Sequence, residues 1–204
     1  CKALVDRAGQ LSSFSIVMPV YNPPLYALRE AVESVRNQSF QDWELLIVDD
    51  CSTDPEILQH LKSLENSDKR IKVKFRSANG HISAATNDAS ELATKEYITF
   101  LDNDDRLAPD ALAVLALYIS KNKNSDVFYS DDAVLSEKNR YKAAKFKAGW
   151  SPELLLSFCY ISHLKGMKLS LYRELGGCRL GYEGSQDHDL FLRATELAEH
   201  VLHI

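Results

Sequence analysis

Glu44-Leu45-Leu46-Ile47-Val48-Asp49-Asp50 and Tyr97-Ile98-Thr99-Phe100-Leu101-Asp102-Asn103-Asp104-Asp105 are two apolar runs that each stop on carboxylates. Short continuous apolar runs of this kind read as buried strands of a parallel sheet. An open α/β sheet offers its ligands the carboxyl ends of the strands. Acidic groups gathered there repel one another unless a cation or ligand donors compensate them. Clustered oxygens suit Mg²⁺ or Mn²⁺, and the metal in turn holds a phosphorylated ligand. One such pair serves equally well as a turn former or helix cap. Two pairs, each closing a buried strand, point to a site.

On both sides of these runs, strand and helix patterns alternate. Residues 15–20 form a short β-rich run that Pro23-Pro24 ends. Leu25, Leu28, Val32 and Val35 then recur at helical spacing. Ser52-Thr53-Asp54-Pro55 places a capping Asp ahead of a Pro at the first helical position, predicting a helix to about residue 67. Strands are predicted over 71–76 and 127–130, and helices over 82–93 and 109–121. The latter is closed by Lys121 and Lys123. This alternation implies a parallel, doubly wound sheet. After Asp132 the pattern breaks into a polar, lysine-rich stretch to Gly149. A short helix follows Ser151-Pro152-Glu153, and another ends at Leu175-Gly176-Gly177. An amphipathic helix spans 186–199, and a last strand begins at Val201. The second half is expected to pack on the edge of the first half's sheet.

The 204 residues suit one large domain with a sizeable core. A net charge of −5 argues against nucleic acid as the main partner, although a metal can neutralise a nucleotide. No apolar run approaches a membrane span in length. Cys1, Cys51, Cys159 and Cys178 are widely spaced and read as free thiols of a reducing compartment. Cys1 in place of an initiator Met, and a chain stopping in a nascent strand, suggest a domain excised from a longer protein.

Tyr21, in the turn after Met18-Pro19-Val20, offers a ring to a flat base, and a strand end fixed by Pro accounts for the segment equally well. Asp50 is placed to accept a hydrogen bond from a pyrimidine imide N–H, and Asp49 reads as structural. Asn79-Gly80-His81 precedes a helix whose N-terminus can face an anion, a weak signal, and His81 reads as a surface residue. His163, flanked by apolar residues, reads as a satisfied core histidine. Asp187 and Asp189 follow Gly184-Ser185-Gln186. They favour a helix N-terminus through its dipole, and Asp187 is also placed as a general base if that loop lies over the metal site. Lys142, Lys145 and Lys147 read as a solvated face. Trp150 is either core or part of an acceptor side.

Together these segments resemble the family-2 inverting glycosyltransferases of GT-A fold, from about Ser13 to Ile204. The matches are Ser15 to Asn22, Glu44 to Asp54, Tyr97 to Asp110, and Gly184-Ser185-Gln186-Asp187. Phe128-Tyr129-Ser130-Asp131-Asp132, Phe146-Lys147 and Trp150 to Ser157 further resemble bacterial enzymes of O-antigen and surface-polysaccharide assembly, some of them rhamnosyltransferases. The resemblance implies an α/β fold with a Rossmann-like, mostly parallel central sheet flanked by helices and a C-terminal acceptor-side subregion. Residues 1–204 would be a single domain, with about 13–132 binding the nucleotide sugar and about 133–204 carrying acceptor and base. Pro19, Val20 and Tyr21 would line the base pocket, Asp50 would contact the base, Asp102 would lie by the ribose, Asp104 would bind Mn²⁺ or Mg²⁺, and Asp187 would be the catalytic base. The implied partners are a UDP- or dTDP-linked sugar donor and a glycan or lipid-linked glycan acceptor. The implied location is the cytoplasm, at the inner face of the membrane through a parent protein. There are departures. Gln186 stands where the family often has Glu, and Thr86 stands where it often has Arg. His203 is not clearly the metal-binding His that the family carries further on.

Two rivals remain. A phosphorelay receiver also carries a Val-Asp-Asp strand, but here a full βα unit precedes it and about a hundred residues follow the second acidic strand. A non-catalytic nucleotide-sugar-binding or scaffold domain of the same fold is separated from an enzyme by turnover with a nucleotide sugar.

Overall fold

The computed structural model describes residues 11–122, 125–136 and 141–204; Cys1 and Lys123 lie outside them. Seven strands form one sheet in the order β3-β2-β1-β4-β8-β5-β9. They are β1 (Phe14–Val20), β2 (Trp43–Asp49), β3 (Ile71–Phe75), β4 (Tyr97–Phe100), β5 (Val127–Tyr129), β8 (Lys165–Lys168) and β9 (Val201–His203). A separate hairpin pairs β6 (Asp132–Leu135) with β7 (Tyr141–Lys145). The helices are α1 (Leu25–Arg36), α2 (Pro55–Glu65), α3 (His81–Glu91), α4 (Ala111–Lys121), α5 (Pro152–Ser157), α6 (Leu169–Glu174) and α7 (Gln186–Leu197).

Side chains alternate across a strand, so each central strand feeds two cores. Phe14, Ile16, Met18, Leu45 and Ile47 face one layer with Leu28 and Val32 of α1, Leu61 of α2 and Leu115 of α4. Val17, Leu46, Val48, Ile98 and Phe100 face the other with Ala85 and Ala89 of α3 and Leu190 and Phe191 of α7. This double burial is why β1 and β2 read as unbroken apolar runs. The cap expected of Asp54 is present: its side chain accepts from the Glu56 amide at 2.8 Å, with Pro55 opening the helix.

The strands β1 to β4 are mutually parallel, as the βα alternation implies. The second half does more than pack at the edge. β8 inserts between β4 and β5, antiparallel to both, and β9 pairs parallel with β5. Gly166 makes the insertion sterically feasible. A Cβ there would sit 2.3 Å from the Ile98 carbonyl oxygen and 2.4 Å from the Phe128 ring. Antiparallel insertion has one consequence for the site: the start of β8, at Lys165, pairs with Phe100 at the carboxyl end of β4.

Candidate functional site

The loops leaving β1, β2 and β4 are tied to one another. The Asp50 amide donates to the Val20 carbonyl at 2.8 Å, and Asn103 Nδ2 donates to the Pro19 carbonyl at 2.8 Å. Asn22 clamps the loop after β2: its amide donates to Ser52 Oγ, and its Oδ1 accepts from the Thr53 and Asp54 amides. Asn22, Cys51 and His81 hold φ of 44°, 68° and 64°. Among the described residues, the non-glycine positions with positive φ fall just after β1, just after β2 and at the start of α3. Such backbone strain clusters at ligand sites.

A cleft of about 560 Å³ opens over these strand ends. Pro19, Val20, Tyr21, Asp50, Asp102 and Asp104, the donor-side residues of the sequence reading, all line it. Tyr21 is half exposed, with its ring open to the cleft. Asp50 is buried. Its Oδ1 accepts from Arg76 Nη1 at 2.6 Å and from the Gly80 amide at 2.9 Å. The anion expected to face the N-terminus of α3 is therefore the protein's own Asp50. Asp49 is structural, as expected, with Oδ2 accepting from the Ser52 amide.

Asp187 lies in the adjoining cavity, whose wall includes Asp102, His163, Lys165, Thr86 and Cys178. It is in the first turn of α7 but makes no capping bond; the cap position is Ser185, whose side chain makes none either. Asp187 instead pairs with Lys165, Nζ to Oδ2 at 2.5 Å. Asp189 is held by Arg193 at 2.8 Å and by Arg179 at 3.3 Å, a structural role.

His163 corrects the sequence reading. It is not a core histidine: its side chain is 38% exposed, with Nε2 3.2 Å from Asp105 and 3.7 Å from Asp102. The ligand atoms of Asp102, Asp105 and His163 all lie within 4.8 Å of one another. Two carboxylates and an imidazole suit Mn²⁺ or a similar divalent ion. Burial pushes the Asp102 carboxyl above its usual range, and nearby Asp187 and Asp105 push the same way against His163 and Lys165. A cation here relieves that imbalance, so the residues fit a metal. Asp104, the expected metal residue, lines the cleft but stands outside this trio. His203 also stands outside it, stacked on Tyr129 and 3.0 Å from Asp131.

Lys147 is a second correction. Lys142 and Lys145 are exposed, but the Lys147 side chain is only 6% exposed. Its ammonium donates to the Ser130 and His163 carbonyls and pairs with Asp132 at 3.3 Å. It thereby anchors the segment that carries His163. Sequence reasoning missed Asp105, His163 and Lys165 as site residues. The acidic run contained the signal for Asp105. The other two reach the site only through the antiparallel insertion of β8.

Residues 15–176 match the model of "Glycosyl transferase family 2". The chain is 44% identical over 95% of its length to y4gI of Sinorhizobium fredii, a protein of uncharacterised function. It is 34% identical over 98% of its length to the O-antigen biosynthesis protein RfbC of Myxococcus xanthus. It spans 21% and 16% of those two proteins. The Staphylococcus aureus TarS structure with UDP-GlcNAc superposes with a TM-score of 0.79 at 23% identity, covering 94% of this chain and 56% of that one. That likeness shows the GT-A fold. Among the described residues, no helix is long and apolar enough to cross a membrane.

Proposed function

The chain belongs to glycosyl transferase family 2, and from that membership we propose that its carboxyl edge transfers a sugar, with inversion, from a nucleoside-diphosphate donor to a hydroxyl of a bacterial surface glycan or glycolipid. One observation carries the reading. The six donor-side residues share one cleft, and Asp187 stands in the cavity that adjoins it across Asp102. The biosynthetic names of RfbC and of the colanic acid protein WcaA of Escherichia coli, 32% identical over 93% of this chain, support the acceptor class.

In this reading the base stacks against Tyr21 and its imide N–H donates to Asp50, whose Oδ1 is already engaged by Arg76 and Gly80. Asp102, Asp105 and His163 would hold a divalent cation, with Asp104 as a further carboxylate of the same strand end. That cation would neutralise charge on the departing diphosphate. Asp187 takes the proton from the acceptor hydroxyl as its oxygen attacks the anomeric carbon opposite the leaving group. Attack from that face inverts the centre, and general-base help of this kind is worth about 10²–10⁴-fold. Residues 13–132 supply most of the donor side, and residues 133–204 bring His163, the base and the acceptor side.

A panel of UDP- and dTDP-sugars, read by thermal shift with Mn²⁺ and then by turnover, tests the proposal. At least one donor is expected to stabilise the protein and to be consumed. Binding without turnover would favour the non-catalytic domain, and no binding at all would sink the reading.

A further inference from the structure

Lys165 is a buried cation in a place where the fold calls for an apolar side chain. It opens β8, with Phe100 paired on one side and Tyr129 on the other. Its backbone carbonyl accepts from Thr99 Oγ1 at 2.7 Å, which fixes the strand start. Phe100, Tyr129, Met167 and Phe191 around it belong to one hydrophobic cluster. The side chain is 4% exposed, and its ammonium lies 5.8 Å from the centre of the Phe191 ring. Taking an ammonium out of water costs several kcal/mol, and a well-packed apolar residue is often as stable or more so. Stability alone is therefore a poor account of a lysine here.

The ammonium reaches the cavity beside the donor cleft and binds Asp187 there at 2.5 Å. Asp187 stands in the first turn of α7 and makes no capping bond to that helix. One carboxylate oxygen, Oδ2, is taken by Lys165. A carboxylate rotates about its Cβ–Cγ bond unless one oxygen is held, and a general base works only when its free lone pair meets the proton.

We infer that Lys165 is a positioning residue for Asp187: its ammonium, delivered by the antiparallel strand, holds Oδ2 and thereby fixes the carboxylate for proton transfer from the acceptor. The inference rests on the proposed role of Asp187 and adds to it a residue on a different element. Lys165 takes no part in bond making. It neither donates nor accepts the transferred proton.

The test compares Lys165→Met, Lys165→Arg and the wild type in two readouts. One is the affinity for UDP or dTDP with Mn²⁺, by calorimetry. The other is kcat and KM with whichever nucleotide sugar the wild type consumes. Lys165→Met is expected to lower kcat roughly tenfold to a hundredfold, the scale of a small misplacement of a catalytic group. Nucleotide affinity and the donor KM should stay within about twofold, a split that merely structural damage would not give. Lys165→Arg, which keeps the charge, should recover most of the rate. Should the Met variant fail to fold, Lys165→Gln is expected to show the same split at smaller amplitude. An unchanged kcat in the charge-free variant overturns the inference. So does a loss of nucleotide affinity matching the loss of rate, which would make Lys165 a diphosphate ligand. A wild type that consumes no nucleotide sugar defeats the transferase reading first, before any variant is compared, and takes the positioning role with it.

Discussion

Glu44 is the second residue of β2 and Asp50 follows its last residue, so one strand carries a buried carboxylate near each end. At the amino end, Glu44 is surrounded by donors. Oε1 accepts from Ser15 Oγ, the Thr94 amide and Thr94 Oγ1, and Oε2 pairs with Lys72 at 2.9 Å. Burial pushes its carboxyl up, but the bonds from Lys72, Ser15 and Thr94 outweigh that, and the net position lies below the usual value of 4.5. At the carboxyl end Asp50 is likewise held, by Arg76 and the Gly80 amide. Asp102, just beyond β4, is different: burial pushes its carboxyl up further than His163 and Lys165 pull it down, and Asp187 and Asp105 add to the rise. The protein completes the Glu44 carboxylate with its own donors, whereas the burial of Asp102 outweighs the cations around it. The first arrangement is fastening, and the second calls for a ligand.

Carboxylates at the two ends should fail in different ways. The largest effect belongs to Asp187. Asp187→Asn is expected to cut turnover by about 10² or more while donor affinity changes little. A residue that only caps α7 would tolerate Asn, which caps about as well as Asp. Near wild-type transfer by the Asn variant would therefore remove the base assignment.

Glu44→Gln is expected to leave nucleotide binding unchanged and to cost about 2 kcal/mol in urea unfolding at neutral pH, the loss of a charged hydrogen-bond partner. The sign with pH follows from the depressed carboxyl. Its stabilisation is present above the unfolded value of 4.5 and fades as pH falls through the lower folded value. The gap between wild type and Glu44→Gln should thus narrow in acid. A gap that widens below pH 4.5 would break this side of the comparison.

An effect of similar size, on binding instead of stability, is expected at Asp50. Asp50→Ala is expected to weaken nucleotide binding by roughly 1–3 kcal/mol, the cost of an unpaired buried donor, with the fold intact. Calorimetry on a folded variant decides this, and unchanged affinity would reduce Asp50 to a tether for Arg76 and Gly80.

The first half was legible because its signals are local. Doubly buried strands give unbroken apolar runs, and Asp54-Pro55 or Asn79-Gly80 mark the helix starts within a few residues. Asp50, Asp102 and Asp104 were visible for the same reason, since a strand's sequence states what stands at its end. β8 was not legible. Lys165-Gly166-Met167-Lys168 carries no apolar alternation, because Gly166 lets the neighbouring strands close on it and Lys165 points its charge at the site. The β6–β7 hairpin is largely exposed and so bears no buried pattern. His163 looked like a core residue from its apolar neighbours. Only the reversal of β8 carries it to the end of β4, and no local spacing encodes that pairing.

Mn²⁺ binding, followed by electron paramagnetic resonance in the wild type, His163→Ala, Asp104→Ala and Glu44→Gln, puts the contrast between the two ends to its most direct test. The wild type is expected to bind the ion. His163→Ala should weaken binding by roughly tenfold or more, since even groups that only orient a ligand matter on that scale, while Glu44→Gln should leave it unchanged. Asp104→Ala reports whether that carboxylate joins the trio. Equal Mn²⁺ affinity in wild type and His163→Ala, or no binding by the wild type, would contradict the claim that the carboxyl edge is a cation site.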